Sequence, residues 1–376
     1  MKKAAITILV LLLTLFAFPL AAGAEEADSA YDEITASIDK GIRADTGGDA
    51  DDFLDEHDIT LSEPESVAGV SVTDFFSEIL SAFASAVTKP LALLGKLIAI
   101  SLVCTLARSL APQSGAVTQT FRVTGVLTCV LVLYNDLTGS FSVVVTALSD
   151  MNKFMISYVP VFASVTAAGG TPSSAAGYYA TVLSLCEIIA LVTNRFVLPF
   201  LGLLTAFSIV EAMGGLFSFS GLTESVKKIS TWVLGIVMTV FVGMISIQSI
   251  VGTSADSVGI RAAKFAASSF IPVVGSSVSE AYTTVRGSLG VIRSGTGSIG
   301  IIVLLITVLR PIAAVVCMKL AVELAAMVNG MLGESRITAL LRSIGAVLSV
   351  ALSAIICFAL IFIVATAVVM MSALNV

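Results

Sequence analysis

The chain has 376 residues, of which 57% are apolar and 12% charged, with a formal net charge of −6 and a single histidine. Soluble domains run near about 45–50% apolar and about 25% charged, so this chain has too few charges to clothe a water-facing surface. A soluble globular protein is excluded, and so is a nucleic-acid binder, because the bases are scattered among apolar runs instead of forming a basic face interleaved with aromatics.

The apolar stretches are continuous and do not alternate, which points to membrane-spanning helices and away from a barrel. The fold class expected is all-α, a polytopic helical membrane protein. The chain opens with MKKAAITILVLLLTLFAFPLAAGAEE. Lys2 and Lys3, an apolar stretch to Phe18, and Ala22-Gly23-Ala24 make a cleavable signal peptide over residues 1–24, with an uncleaved anchor as the alternative. Either way, the residues from Glu25 onward begin across the membrane.

The acid is local. From Glu25 to Glu78 lie 17 of the 26 acidic residues, against only Lys40 and Arg43 among the bases, so the rest of the chain is basic. Residues 25–88 therefore read as an acidic extracytoplasmic segment that buries too little apolar area to order itself fully. Its last part, DFFSEILSAFASAVTK, places Phe75, Phe76, Ile79, Leu80 and Phe83 on one face, as in a helix lying at the membrane interface.

Apolar segments follow at 91–107, 123–148, 154–168, 176–193, 196–217, 229–251, 262–282, 297–328 and 344–372. Arg108 with Arg122, Lys227 with Lys228, and Arg336 with Arg342 flank them and belong on the cytoplasmic side. Residues 89–149 read as two N-terminal transmembrane helices.

Beyond them, Pro160, Pro199 and Glu211 recur as Pro272, Pro311 and Glu323 at one constant offset. Proline and glutamate are rare in apolar sequence, so the match reads as two copies of one unit, residues 150–260 and 261–376. Each copy ends in a Glu-Ser loop with basic residues (Glu224-Ser225, Glu334-Ser335) and a long span. Both loops need the cytoplasmic side, so the copies are parallel and each crosses the membrane an even number of times. Two crossings each give six spans in all, with the proline segments re-entrant or interfacial; four each give ten.

Few residues offer chemistry. His57, the only histidine, sits in the acidic segment, so an imidazole-built catalytic dyad or zinc site has no partner. The five cysteines lie within apolar runs without CxxC spacing and read as small core residues. Gly295, Gly297 and Gly300 spell GxGxxG, but a dinucleotide site needs a preceding strand. Here the neighbours are GSLGVIRS and an apolar run, so these glycines read as hinge or close-packing positions.

The remaining candidates are the two glutamates, Lys319 beside Glu323 at i,i+4 spacing, and the four prolines, which free backbone carbonyls inside apolar segments. Glu211 and Glu323 suit either a polar path or a structural ion pair. Broken helices at matching positions in two repeats point to a transporter site, and also occur in scaffolds. No cofactor and no catalytic or metal-binding residue is expected.

The stretches IPVVGSSVSEAYTTVRGSLGVIRSGTGSIG (271–300) and LRPIAAVVCMKLAVELA (309–325) resemble the stage III sporulation protein AE family of endospore-forming Firmicutes. The resemblance implies a non-enzymatic subunit of a channel or secretion-like apparatus joining mother cell and forespore. It would be a multi-pass protein of the mother-cell membrane, with membrane lipid and sibling subunits as partners, homo-oligomers among them, and no nucleic acid. The alternative is a stand-alone secondary transporter.

Overall fold

A helix that is apolar on every side is satisfied in the middle of a bundle or against lipid, and the last helix of this chain takes the middle of the bundle. The computed structural model describes residues 48–60, 72–110, 115–193, 198–213, 220–270 and 275–372, with isolated positions 36, 40 and 195. The signal peptide, most of the acidic segment and Pro272 lie outside the described residues. Within them every regular element is a helix: α1 (Gly48–Glu56), α2 (Val72–Ala86), α3 (Thr88–Leu110), α4 (Gly115–Ala168), α5 (Pro172–Val192), α6 (Leu198–Ala212), α7 (Ser220–Phe270), α8 (Gly275–Met331) and α9 (Ser335–Ser372).

Helix α9 is the centre. Its buried residues Ile337, Leu341, Ile344, Leu348, Ala351, Ile355, Phe358, Phe362, Ala365 and Val369 recur every three or four positions. Helices α4, α5, α6, α7 and α8 all pack on it. Helix α8 is the second hub, touching α1, α2, α3, α4, α7 and α9.

Six helical stretches among the described residues are long and apolar enough to cross a membrane: Thr73–Ala107, Gln119–Ala168, Pro172–Val192, Glu224–Ala262, Thr284–Met331 and Ser335–Met371. Pro199–Ala212 is a shorter apolar helix. The segments at 123–148 and 154–168, separate in the sequence, are one 54-residue helix that passes through Pro160 without a break. The interfacial stretch of α2 runs almost directly into α3 and forms a single candidate span with it.

Two turns show how the chain reverses. Between α4 and α5, Gly170 takes φ 86°, a left-handed conformation that favours glycine. Pro172 then starts α5, where its missing N–H costs nothing. Between α8 and α9, Gly333 takes φ 75°. Its N–H donates to the Gly330 carbonyl at 3.2 Å, and the Glu334 N–H donates to the Asn329 carbonyl at 3.0 Å. That pair of bonds is the Schellman arrangement, which closes a helix C-terminus internally.

The close approach of α8 to α4 and α9 depends on two glycines. A Cβ on Gly300 would collide with the Tyr158 ring, and one on Gly297 would meet Met370 Sδ at 2.9 Å and Phe162 at 3.2 Å. Gly290, in the same helix, faces open space. Gly300→Ala is therefore expected to cost about 1–3 kcal/mol by overpacking, seen as a lower thermal midpoint in detergent. Gly290→Ala should leave the midpoint unchanged or raise it.

Candidate functional site

A polar cluster lies where α4, α5, α7, α8 and α9 meet at one end of the bundle. Helix α5 begins there, and its first N–H groups have no partner within the helix. Thr171 stands at the capping position but makes no side-chain cap. Its hydroxyl instead donates back to the Thr166 carbonyl at 2.9 Å. The cap comes from α7: Asp256 accepts the Ser173 N–H at 2.8 Å, the Ser174 N–H at 3.1 Å and the Ser174 hydroxyl at 2.9 Å. Gly252, one turn earlier on α7, lets the helices touch, since a Cβ there would meet Ser174 at 2.8 Å.

The opposite charge closes the opposite kind of end. Arg293 of α8, only 2% exposed, donates to the Met370 carbonyl at 3.0 Å and also to the Val369 carbonyl. Those carbonyls are in the last turn of α9, where the helix supplies no donors. A further Arg293 N–H reaches Thr171 Oγ1 at 3.1 Å, which joins the two caps. A carboxylate at a helix N-terminus and a guanidinium at a C-terminus each lie with the local backbone dipoles. Arg286 adds a bond from Nε to the Gly169 carbonyl at 3.4 Å.

Below this cluster runs an aromatic ladder. Phe154, Tyr158 and Phe162 stack along α4 with centroids 5.3 and 5.6 Å apart, and Tyr178 of α5 meets Phe162 edge-on at 5.2 Å. The Tyr158 hydroxyl donates to the Thr296 carbonyl of α8 at 3.2 Å, and Tyr178 pairs with Thr366 of α9 at 3.2 Å. Buried phenols keep a hydrogen-bond partner, so the ladder ties four helices in register.

A second polar group sits at the other end, by the α8–α9 turn. Asn329, fully buried, bonds to the Ala325 carbonyl at 2.7 Å and to the Ser101 hydroxyl of α3. Thr105 donates to buried Glu334 at 3.4 Å. Arg122 and Glu334 line the same narrow crevice with Cys104 and Gly125.

The residues singled out in the sequence are dispersed. Pro160 lies on an exposed face of α4, and Pro311 lies inside α8. Pro199 is the second residue of α6, at a helix start and not in an interior. Glu211 is half-buried near the end of α6. Glu323 pairs with Lys319 at 3.5 Å on α8, and its stem packs on Gly345 of α9. Gly295, Gly297 and Gly300 are all buried. His57 packs its ring on Phe53 at 4.5 Å.

Arg293, Asp256 and Asn329 gave no signal in the sequence, and Glu334 gave one only as part of a basic loop. The start of α5 was signalled by Gly169-Gly170-Thr171-Pro172, but its cap, Asp256, lies more than eighty positions away, and Arg293 reaches the end of α9 from 76 and 77 positions away.

The sequence profile of the family described as "Stage III sporulation protein AE" matches residues 63–373. The chain belongs to the stage III sporulation protein AE family. A protein of Bacillus subtilis (strain 168) with that name is 26% identical over 243 residues, covering 64% of this chain and 61% of the relative. The chain thus spans about three fifths of the length of the curated relative it matches. No solved structure matches.

For this member of the family, the buried cation Arg293 and the part-exposed cation Lys319 predict different sensitivities. Arg293→Met strands the Val369 and Met370 carbonyls and should cost about 1–3 kcal/mol, the penalty for buried unpaired groups. Lys319→Met opens a part-exposed pair and should stay within about 0.5 kcal/mol. Unfolding midpoints of the purified variants in detergent check both.

Proposed function

We propose that the protein is an integral membrane subunit of the apparatus that links mother cell and forespore, and that endospore development requires it. The family match over residues 63–373 carries this reading. The six candidate spans support a multi-pass placement, in the mother-cell membrane facing the forespore. In this reading residues 1–24 are a signal peptide and the acidic segment is exported. The partners are lipid, sibling membrane subunits and further copies of the chain. The role is structural or conducting and not catalytic.

The parallel repeat belongs to the same proposal, and the helix order supports it. Shifted by the offset that relates Pro199 to Pro311, α5 and α6 together overlie α8, and α7 overlies α9. Contacts follow the exchange: α5 and α6 pack on α7 as α8 packs on α9, and α5 and α6 pack on α9 as α8 packs on α7. One copy has two described helices where the other has one.

A stand-alone transporter is the second reading. It draws on a cavity of about 400 Å³ lined by Ser142, Thr146, Asp150, Thr307 and Pro311. Pro311 has no N–H for the Thr307 carbonyl, which leaves that carbonyl available to the cavity. Solute uptake by the purified chain alone in liposomes would favour this reading.

The conduit form of the proposal makes Glu211 and Glu323 necessary. Glu211→Ala combined with Glu323→Ala should abolish heat-resistant spores and forespore-stage reporter expression while the protein still accumulates in the membrane. Normal sporulation in that double variant would rule out a glutamate-lined path.

A further inference from the structure

Three helices are far longer than a bilayer needs. A hydrocarbon layer of about 30 Å takes about 20 helical residues, and about 26 at a 40° tilt. Helices α4, α7 and α8 have 54, 51 and 57 residues. Each must therefore project more than twenty residues beyond the hydrocarbon.

The charges show at which end. Arg122, Lys227 with Lys228, and Arg336 all fall within the first nine residues of α4, α7 and α9. Little helix is left over on that side, so the excess lies at the other end.

A second charged level marks where the excess begins. Glu78 of α2 pairs with Arg310 of α8 at 3.7 Å, and Asp150 pairs with Lys153 on α4 at 3.2 Å. The acidic helix α1 docks at this level. It buries Ala50, Phe53 and Leu54, with Ile59 buried just beyond its end, and Gly48 and Ala50 face Ala147, Asp150, Thr307 and Pro311 across one cavity. From the basic level to this one is about 32 Å along α8 (Arg310 to Met331) and about 42 Å along α4 (Arg122 to Asp150), which suits one tilted crossing. On α7 the exposed large apolar side chains crowd between Ile229 and Val251 and thin out to Val258 and Phe265 beyond GTSADS.

Past this level the end of α7 and the start of α8 change character. The first part of α8 reads SSVSEAYTTVRGSLGVIRSGTGS, and the end of α7 reads GTSADSVGIRAAKFAASS. Both are rich in serine, glycine and charge. The two cross-caps lie here too, and Arg293 and Asp256 would each be costly at hydrocarbon depth.

We propose that the end of α4, the start of α5, the end of α7 and the start of α8 form a folded extracytoplasmic cap, which stands in water above a single bilayer on the same side as the docked acidic helix. Asp256 and Arg293 are its positioning residues. The cap faces the same compartment as the acidic segment and offers neighbouring subunits a rigid surface in place of a lipid-embedded one. This inference rests on the export of the acidic segment proposed above.

Site-directed labelling separates the two ideas. Single cysteines at Ser164, Val258 and Ser288 in the cap, at Asp52 in α1, and at Tyr134 and Val240 in the spans are placed in a cysteine-free chain. Right-side-out and inside-out vesicles are then treated with a charged, impermeant maleimide. The cap requires Asp52, Ser164, Val258 and Ser288 to react from one common side, while Tyr134 and Val240 react from neither. If all four react from the cytoplasmic side, the cap stands and the export reading falls. If Asp52 reacts while Ser164 and Ser288 stay silent or react from the opposite side, the cap falls. The unmutated chain gives a check free of folding defects: an impermeant acylating reagent should modify Lys153 from the side of the acidic segment, and failure to do so overturns the cap.

Discussion

The constraint on which this structure depends is that a helix end inside an apolar bundle must have its backbone groups satisfied. Each end leaves up to four N–H or C=O groups without a helical partner, and neither lipid nor a packed core can supply one. The chain meets the demand in two ways. At the α8–α9 turn the backbone closes on itself through Gly333 and Glu334. At the far end it uses tertiary contacts, Asp256 for the start of α5 and Arg293 for the end of α9. The second way couples helices, because each cap is lost if its neighbour moves. Thr171 links both caps through Arg293 and Thr166, so five helices share one polar junction.

Among the described residues α8 is one helix and needs no caps in its middle, where α5 and α6 are two elements. Pro199 fits this difference, since it stands at a helix start where a missing N–H is harmless. Pro311, at the related position, sits inside a helix and withholds a donor from Thr307. The two central helices differ too: α9 is largely enclosed, while α7 presents a row of exposed apolar side chains. Helix α9 thus takes an inner role and α7 an outer one.

Much of the fold was legible in the sequence because composition and run length carry it. The apolar runs gave the helical class, and the Glu-Ser-basic turn before α9 is where the sequence places it. Helix continuity was not legible: Pro160 suggests an interruption, yet α4 continues through it as one helix. The candidate site was legible only in part. Gly297 and Gly300 stood out by spacing, and Lys319–Glu323 by its i,i+4 register. Arg293 and Asp256 gave no local signal, because each works on a backbone far away in the chain.

Helix length decides how these parts relate to function. A span of ordinary length would place every buried polar group of the bundle within hydrocarbon, where Arg293 and Asp256 could persist only at high cost. Helices of more than fifty residues remove that conflict by carrying the polar junction beyond the bilayer. The apolar lower half then anchors the protein, and the glycine-packed upper half holds its shape in water. A subunit built this way offers neighbouring proteins a rigid surface outside the lipid, with the acidic helix α1 seated at its base. That division of labour suits a part of an assembly joining two membranes better than it suits a self-contained carrier, whose moving parts would need to lie within the bilayer.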